Sequence, residues 1–121
     1  MLTRFSPSRR TPPQVREHLD FYSRIKGVPP GAPLTAAVDA ALARVGLTHL
    51  ASRYSSALSG GQRRRLSLAV ALAGEPDIIF ADEPGTGLDA ASRRAVWRVL
   101  ASACAGRVVV LVSHDMHEVS S

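Results

Sequence analysis

Two carboxylates, Asp82 and Glu83, stand side by side straight after the apolar run Asp77-Ile78-Ile79-Phe80-Ala81. Carboxylates beside a buried run are costly unless they are paired or bind a metal. A hard cation such as Mg²⁺ takes oxygen ligands and keeps several waters. Asp82 can therefore hold such a cation while Glu83 orients or deprotonates an attacking water. A turn or cap role is the plain alternative for the pair. His114 follows a second apolar run at residues 107–112; taken alone, it is most simply a surface histidine or a helix cap. The third candidate is Leu58-Ser59-Gly60-Gly61-Gln62. Ser59 suits a helix N-cap, and the glycines suit the turn before it. The same geometry lets a phosphate approach the first N–H groups, where the helix dipole places roughly half a positive charge. Capping alone would account for Ser-Gly-Gly. Arg63, Arg64 and Arg65 oppose that dipole and are expected to be solvated, with acidic partners as the alternative.

Those residues need elements to position them. A helix is expected to start at Thr11-Pro12-Pro13-Gln14, a capping box with Pro at the first helical position, with Val15, Leu19, Tyr22 and Ile25 as its apolar stripe. Gly27 and Pro29-Pro30 end it. A second helix spans about residues 35–45, striped by Val38, Leu42 and Val45, and Thr48 suits the cap of a short third one. The helix after the two glycines carries Leu66, Ala69, Val70 and Ala73. The two apolar runs have the pattern of fully buried parallel strands. Between them, Asp89 caps a helix bearing Ala95, Val96, Val99, Leu100 and Ala103. This strand–helix–strand order predicts a parallel βαβ unit whose strand ends share one rim, where open α/β sheets bind ligands. Asp82, Glu83 and His114 then sit near one another. Two strands make an incomplete sheet, so another chain or a larger domain is expected to complete it.

Composition narrows the function classes. The chain has 121 residues, 45% of them hydrophobic and 21% charged, enough for one domain with a core. No apolar run approaches the ~18 residues of a membrane span, and the N-terminus has no secretory signal pattern. The single cysteine, Cys104, is expected to be a small buried residue. His18, His49 and His117 are expected at the surface, with Met116 and Trp97 as packing residues. The net charge of +5 comes from dispersed arginines, and neither aromatic interleaving nor a recognition fold accompanies it. No nucleic-acid partner is expected.

Taken together, these segments resemble the nucleotide-binding domain of ABC transporters. Residues 58–62 look like the family's signature motif, and residues 78–83 like its Walker B strand. Gly87-Leu88-Asp89 resembles the D-loop, and Ser113-His114-Asp115 resembles the switch-histidine loop. The segments Val15-Arg16-Glu17-His18-Leu19, Ile25-Lys26-Gly27-Val28-Pro29 and Arg64-Arg65-Leu66-Ser67-Leu68-Ala69 look like the A subfamily, whose characterised members often move lipids. The likeness runs from about Val15 to Val119 and excludes residues 1–14. Three parts are expected: a basic, disordered arm at 1–13, a helical subdomain at 14–57, and the C-terminal part of the ATPase core at 58–121.

The resemblance implies an α/β, partial P-loop NTPase fold, a helical subdomain followed by a parallel βαβ core fragment. It implies ATP and Mg²⁺ as cofactors, Asp82 on the metal, Glu83 as general base and His114 on the γ-phosphate. Ser59, Gly60, Gly61, Gln62 and Asp89 would contact nucleotide, the signature residues in trans. Implied partners are a second ABC ATPase domain and the transmembrane domains of a transporter, at the cytoplasmic face of a membrane. No G-x-x-x-x-G-K-[ST] occurs, and Lys26, the single lysine, precedes Gly27 at a helix end. The chain is therefore expected to be inactive as an ATPase by itself. The alternative is a non-catalytic module or truncated product that docks on an intact ABC ATPase domain. Gly85 and Ala90 depart from the family's usual Thr/Ser and Pro.

Overall fold

The computed structural model describes residues 12–112. Its order is α1 (Val15–Ile25), α2 (Ala32–Arg44), two 3₁₀ turns (Thr48–Leu50 and Ser55–Ala57), α3 (Gly60–Leu72), β1 (Ile78–Asp82), α4 (Ala90–Ala103) and β2 (Val108–Val112).

Helix α1 starts three residues later than a Thr11 cap would place it. Gln14 is the N-cap, and its N–H donates to Glu17 Oε1 at 2.8 Å. The N–H groups of Val15 and Arg16 reach the carbonyls of Arg53 and Ala51, so the turn at 51–53 closes the helix start. The buried stripe is Val15, Leu19 and Ser23 rather than one through Tyr22 and Ile25, which are 37% and 59% exposed. Ser23 is small enough for the chain to double back over it, and Val28 N–H donates to its carbonyl. Helix α2 begins at Ala32, earlier than its stripe suggested, because Pro33 is tolerated in a first turn. Leu34 thereby joins Val38, Leu42 and Val45 in the core.

Helix α3 is the hub. It touches α1, α2, α4 and β1, so Leu66, Leu68, Ala69 and Leu72 are buried around more than one face. Lys26 fastens its far end: Nζ donates to the carbonyls of Val70 at 2.7 Å and Ala71 at 3.2 Å. A cation at a helix C-terminus satisfies orphan carbonyls and complements the dipole. Glu75 bridges Arg44 of α2 and Arg107, which precedes β2, tying the helical layer to the sheet. Cys104 is exposed, not buried: it follows the last turn of α4, whose apolar face ends at Ala103.

Strands β1 and β2 are parallel, in register from Ile78 opposite Val108 to Asp82 opposite Val112. The expected βαβ unit is present, but its strands are covered on one side alone. Ile79 and Ala81 are buried, while Ile78 and Phe80 are 55% and 73% exposed, and their neighbours on the same face of β2, Val108, Val110 and Val112, are exposed as well. Periodicity suggested strands buried on both faces; among the described residues nothing covers the second. Such a contiguous apolar face with free strand edges favours association. The isolated chain is expected to self-associate at micromolar concentration, and Phe80→Glu with Val110→Lys is expected to raise the monomer fraction in light scattering. A wild-type chain that stays monomeric and melts cooperatively would contradict this.

Candidate functional site

Ser59 and Gln62 cap α3 reciprocally. Gln62 N–H donates to Ser59 Oγ at 3.2 Å, and Ser59 N–H donates to Gln62 Oε1 at 2.9 Å. The two glycines differ. Nothing lies within 4 Å of where a Gly60 Cβ would stand, so that side of the tip is open. At Gly61 a Cβ would lie 2.8 Å from Ser92 Cβ, so the first turn of α3 seats directly on that of α4. The exposed tip thus offers the Ser59 hydroxyl and the N–H of Gly60; Gly61 is buried, and neither glycine N–H has a carbonyl four residues back within the helix. A hydroxyl that accepts one bond still has its proton to donate.

Asp82 ends β1 and is exposed. Glu83 follows with φ 46°, a left-handed backbone that costs a non-glycine residue about 1–2 kcal/mol. Its N–H donates to the carbonyl of Val112 at 2.6 Å, which extends the β1–β2 pairing by one bond. Its carbonyl accepts from Thr86 N–H at 3.2 Å. Asp82 and Glu83 therefore sit at the rim where β2 also ends. His114, together with Ser113 and Asp115, lies outside the described residues, as does His117.

Of the arginine triplet, Arg63 is exposed as expected and Arg64 and Arg65 are half-buried, and all three reach backbone carbonyls. Arg63 donates to the carbonyls of Ser56 and Leu58, and Arg65 to that of Val45. Arg64 donates to the carbonyls of Glu83 at 2.7 Å and Thr86 at 3.1 Å. From α4, Arg93 donates to the carbonyls of Leu88 at 3.0 Å and Gly85 at 3.4 Å. Gly85, one of the departures from the family's usual residues, is buried in this turn. The sequence did contain one signal for this arrangement. Three cations at the positive end of a helix are unfavourable unless acceptors await them.

Asp89 caps α4, accepting from Ser92 N–H at 2.7 Å. That backbone bond, reinforced by Arg93 and Arg94, holds its carboxyl below the ordinary range. No group of three or more His, Cys, Asp or Glu that could cage a metal occurs among the described residues. A single exposed carboxylate at a strand end suits Mg²⁺, which takes its other ligands from phosphate and water.

Away from the rim, His18 is half-buried rather than on the surface. Its Nε2 lies 3.2 Å from Ser55 Oγ, and its ring stacks with that of Tyr22 one turn along α1, both lining an open groove together with Arg63. Burial lowers its pKa below 6.5, against the opposing pull of Glu17. A histidine whose folded pKa is depressed binds fewer protons folded than unfolded. Its stability contribution is complete above about pH 6.5 and falls as the solution is acidified toward the folded pKa. His18→Gln is expected to flatten the decline in melting temperature between pH 7 and pH 5; an unchanged slope would contradict it.

A sequence profile described as ABC transporter matches residues 6–86, well over half of the chain. The chain belongs to the ABC transporter family. The match begins inside residues 1–14, a stretch outside the motif resemblance. Among curated relatives, ABC transporter A family member 2 of Arabidopsis thaliana is 42% identical over 102 residues, 84% of this chain and 10% of that protein. Phospholipid-transporting ATPase ABCA7 of Homo sapiens is 44% identical over 104 residues, 85% of this chain and 5% of that protein. This ABC chain thus spans a tenth or less of those two relatives' length. A solved metal-chelate type ABC transporter in an inward-facing conformation superposes with a TM-score of 0.78 at 29% identity, over 93% of this chain and 47% of that one. The architecture is accordingly α/β, part of the P-loop NTPase fold of an ABC ATPase domain, and its likeness is to A-family members.

Proposed function

We propose that this chain carries the signature-motif and Walker B part of an ATP-hydrolysing ABC domain that powers a membrane transporter. The observation that supports this best is the rim: Asp82 and Glu83 at the end of β1, bonded to the end of β2 and reached by a side chain from α3. In this reading Asp82 holds Mg²⁺, which offsets charge on the phosphate oxygens when bound. Glu83 accepts the proton of the attacking water, and His114 donates to the γ-phosphate. Ser59, through its hydroxyl, and Gly60 and Gly61, through their N–H groups, donate to the terminal phosphate of a nucleotide held by a second ATPase domain, with Gln62 beside them and Asp89 at the same interface. Transmembrane domains complete the transporter and place this part at the cytoplasmic face. Lipid is the proposed cargo, supported by the likeness to a phospholipid-transporting relative.

Docking without turnover is the second reading, favoured by the lack of a G-x-x-x-x-G-K-[ST] motif in these 121 residues. One experiment separates the two. The chain is combined with the P-loop segment of an A-family ATPase domain, and separately with an intact domain, and ATP turnover is measured in each. Turnover restored with the P-loop segment supports the proposal. Turnover seen solely with the intact domain, and indifferent to Glu83, supports docking.

A further inference from the structure

The turn after β1 is gripped from two sides. Within the six residues 83–88, four carbonyls accept from two guanidiniums: Glu83 and Thr86 from Arg64 of α3, Gly85 and Leu88 from Arg93 of α4. Both arginines lie near the N-terminal ends of their helices, where a cation is disfavoured. Their side chains therefore gain from carbonyl partners, and the turn supplies them. Arg64 makes the shorter bonds. Its fork holds the carbonyls of both residues joined by the Thr86 N–H to Glu83 carbonyl bond, the bond that closes the turn while Glu83 stays left-handed.

We propose that Arg64 is a positioning residue: it fixes the backbone of Glu83, and with it the direction of the carboxylate, from the same helix whose tip carries Ser59, Gly60, Gly61 and Gln62. A shift of α3 relative to the sheet then moves Glu83 as well, so engagement of the tip and aim of the base are mechanically joined. A fork is needed because two carbonyls on one turn must be held at once, which a single ammonium does less well. Arg93 holds the Gly85 and Leu88 end, so loss of Arg64 releases one end of the turn without dissolving it. The proposal rests on Glu83 acting as general base.

Two measurements test it on the full 121-residue chain and on the chain assembled with a P-loop segment. In amide hydrogen exchange, Arg64→Met is expected to speed exchange at Glu83 and Thr86 about tenfold, with α1 and α2 unchanged. In the assembly, kcat is expected to fall by about 10- to 100-fold, as displacement of a base by around an ångström does, while KM for ATP stays within about twofold. Arg64→Lys keeps the charge and guards against a Met variant that fails to fold; it is expected to recover part of both losses. Full recovery by Lys would show that charge suffices and would overturn the fork argument. A raised KM at constant kcat would also overturn the proposal, since it indicates nucleotide binding. Glu83→Gln is run beside these variants. If it leaves turnover intact, the base assignment fails, whatever the exchange data show. If it abolishes turnover while Arg64→Met changes neither exchange nor kcat, the positioning role alone fails.

Discussion

Glu83→Gln is expected to lower ATP turnover by about 10²- to 10⁴-fold in an assembly that supplies the P-loop, the range general-base catalysis contributes. The amide has nearly the shape of the carboxylate and cannot take a proton. Backbone bonds from Glu83 to Val112, Thr86 and Arg64 do not involve the substituted group, so the rim should keep its form. Nucleotide affinity should change little, because the phosphate contacts come from other residues. The variant is therefore expected to bind ATP and stall. Asp82→Asn should differ from it by weakening the dependence on Mg²⁺, since Asp82 carries the cation in this reading. If the chain instead docks on a domain with its own base, Glu83→Gln leaves turnover unchanged and Ser59→Ala lowers it. The two readings thus part on Glu83→Gln, which stalls turnover in the first and leaves it unchanged in the second. Measuring single-turnover rates at saturating nucleotide decides between them.

Much of this arrangement was legible because its determinants are local. A serine followed by two glycines and a glutamine can cap a helix with no help from the rest of the chain, and Ser59 and Gln62 do. Asp89 before α4 is the same case. The parallel pairing of the strands followed from their order, since a helix between them must cross over. What could not be read depended on neighbours distant in sequence. The buried face of α1 is set by how it lies on α2 and α3, which moved the stripe from Tyr22 to Ser23. Arg64 and Arg93 reach backbone carbonyls, which carry no side-chain signature in a sequence. The strands were recognised by their apolar runs, but a run cannot say whether its second face is covered within the same chain, and Phe80 and Ile78 are bare.

The adjacent glycines of the signature turn make the sharpest stability test. Neither has a left-handed backbone, so alanine fits the main chain at both positions. In a helix, Gly→Ala gains up to about 1 kcal/mol from propensity. At Gly60 the new methyl meets open space, so Gly60→Ala is expected to hold or raise the melting temperature. At Gly61 it would overlap Ser92 Oγ and stand 2.8 Å from Ser92 Cβ. Rotation can move the hydroxyl but not Cβ, so the two helices must part. Overpacking of this kind costs about 1–3 kcal/mol, which outweighs the propensity gain and leaves Gly61→Ala less stable by about 1–2 kcal/mol. Ser92→Gly removes the obstructing Cβ. In a double-mutant cycle it should recover most of that loss, with a coupling of about 1–2 kcal/mol between the positions. Independent effects at Gly61 and Ser92 would show that the helices do not seat on each other there. The same variants sort function from packing: Gly60→Ala should impair turnover in the assembled ATPase without loss of stability, because its methyl occupies the space a phosphate must enter. Gly61→Ala should impair both, and Ser92→Gly should restore both only if the seating of α3 on α4, rather than direct phosphate clearance, is what Gly61 provides.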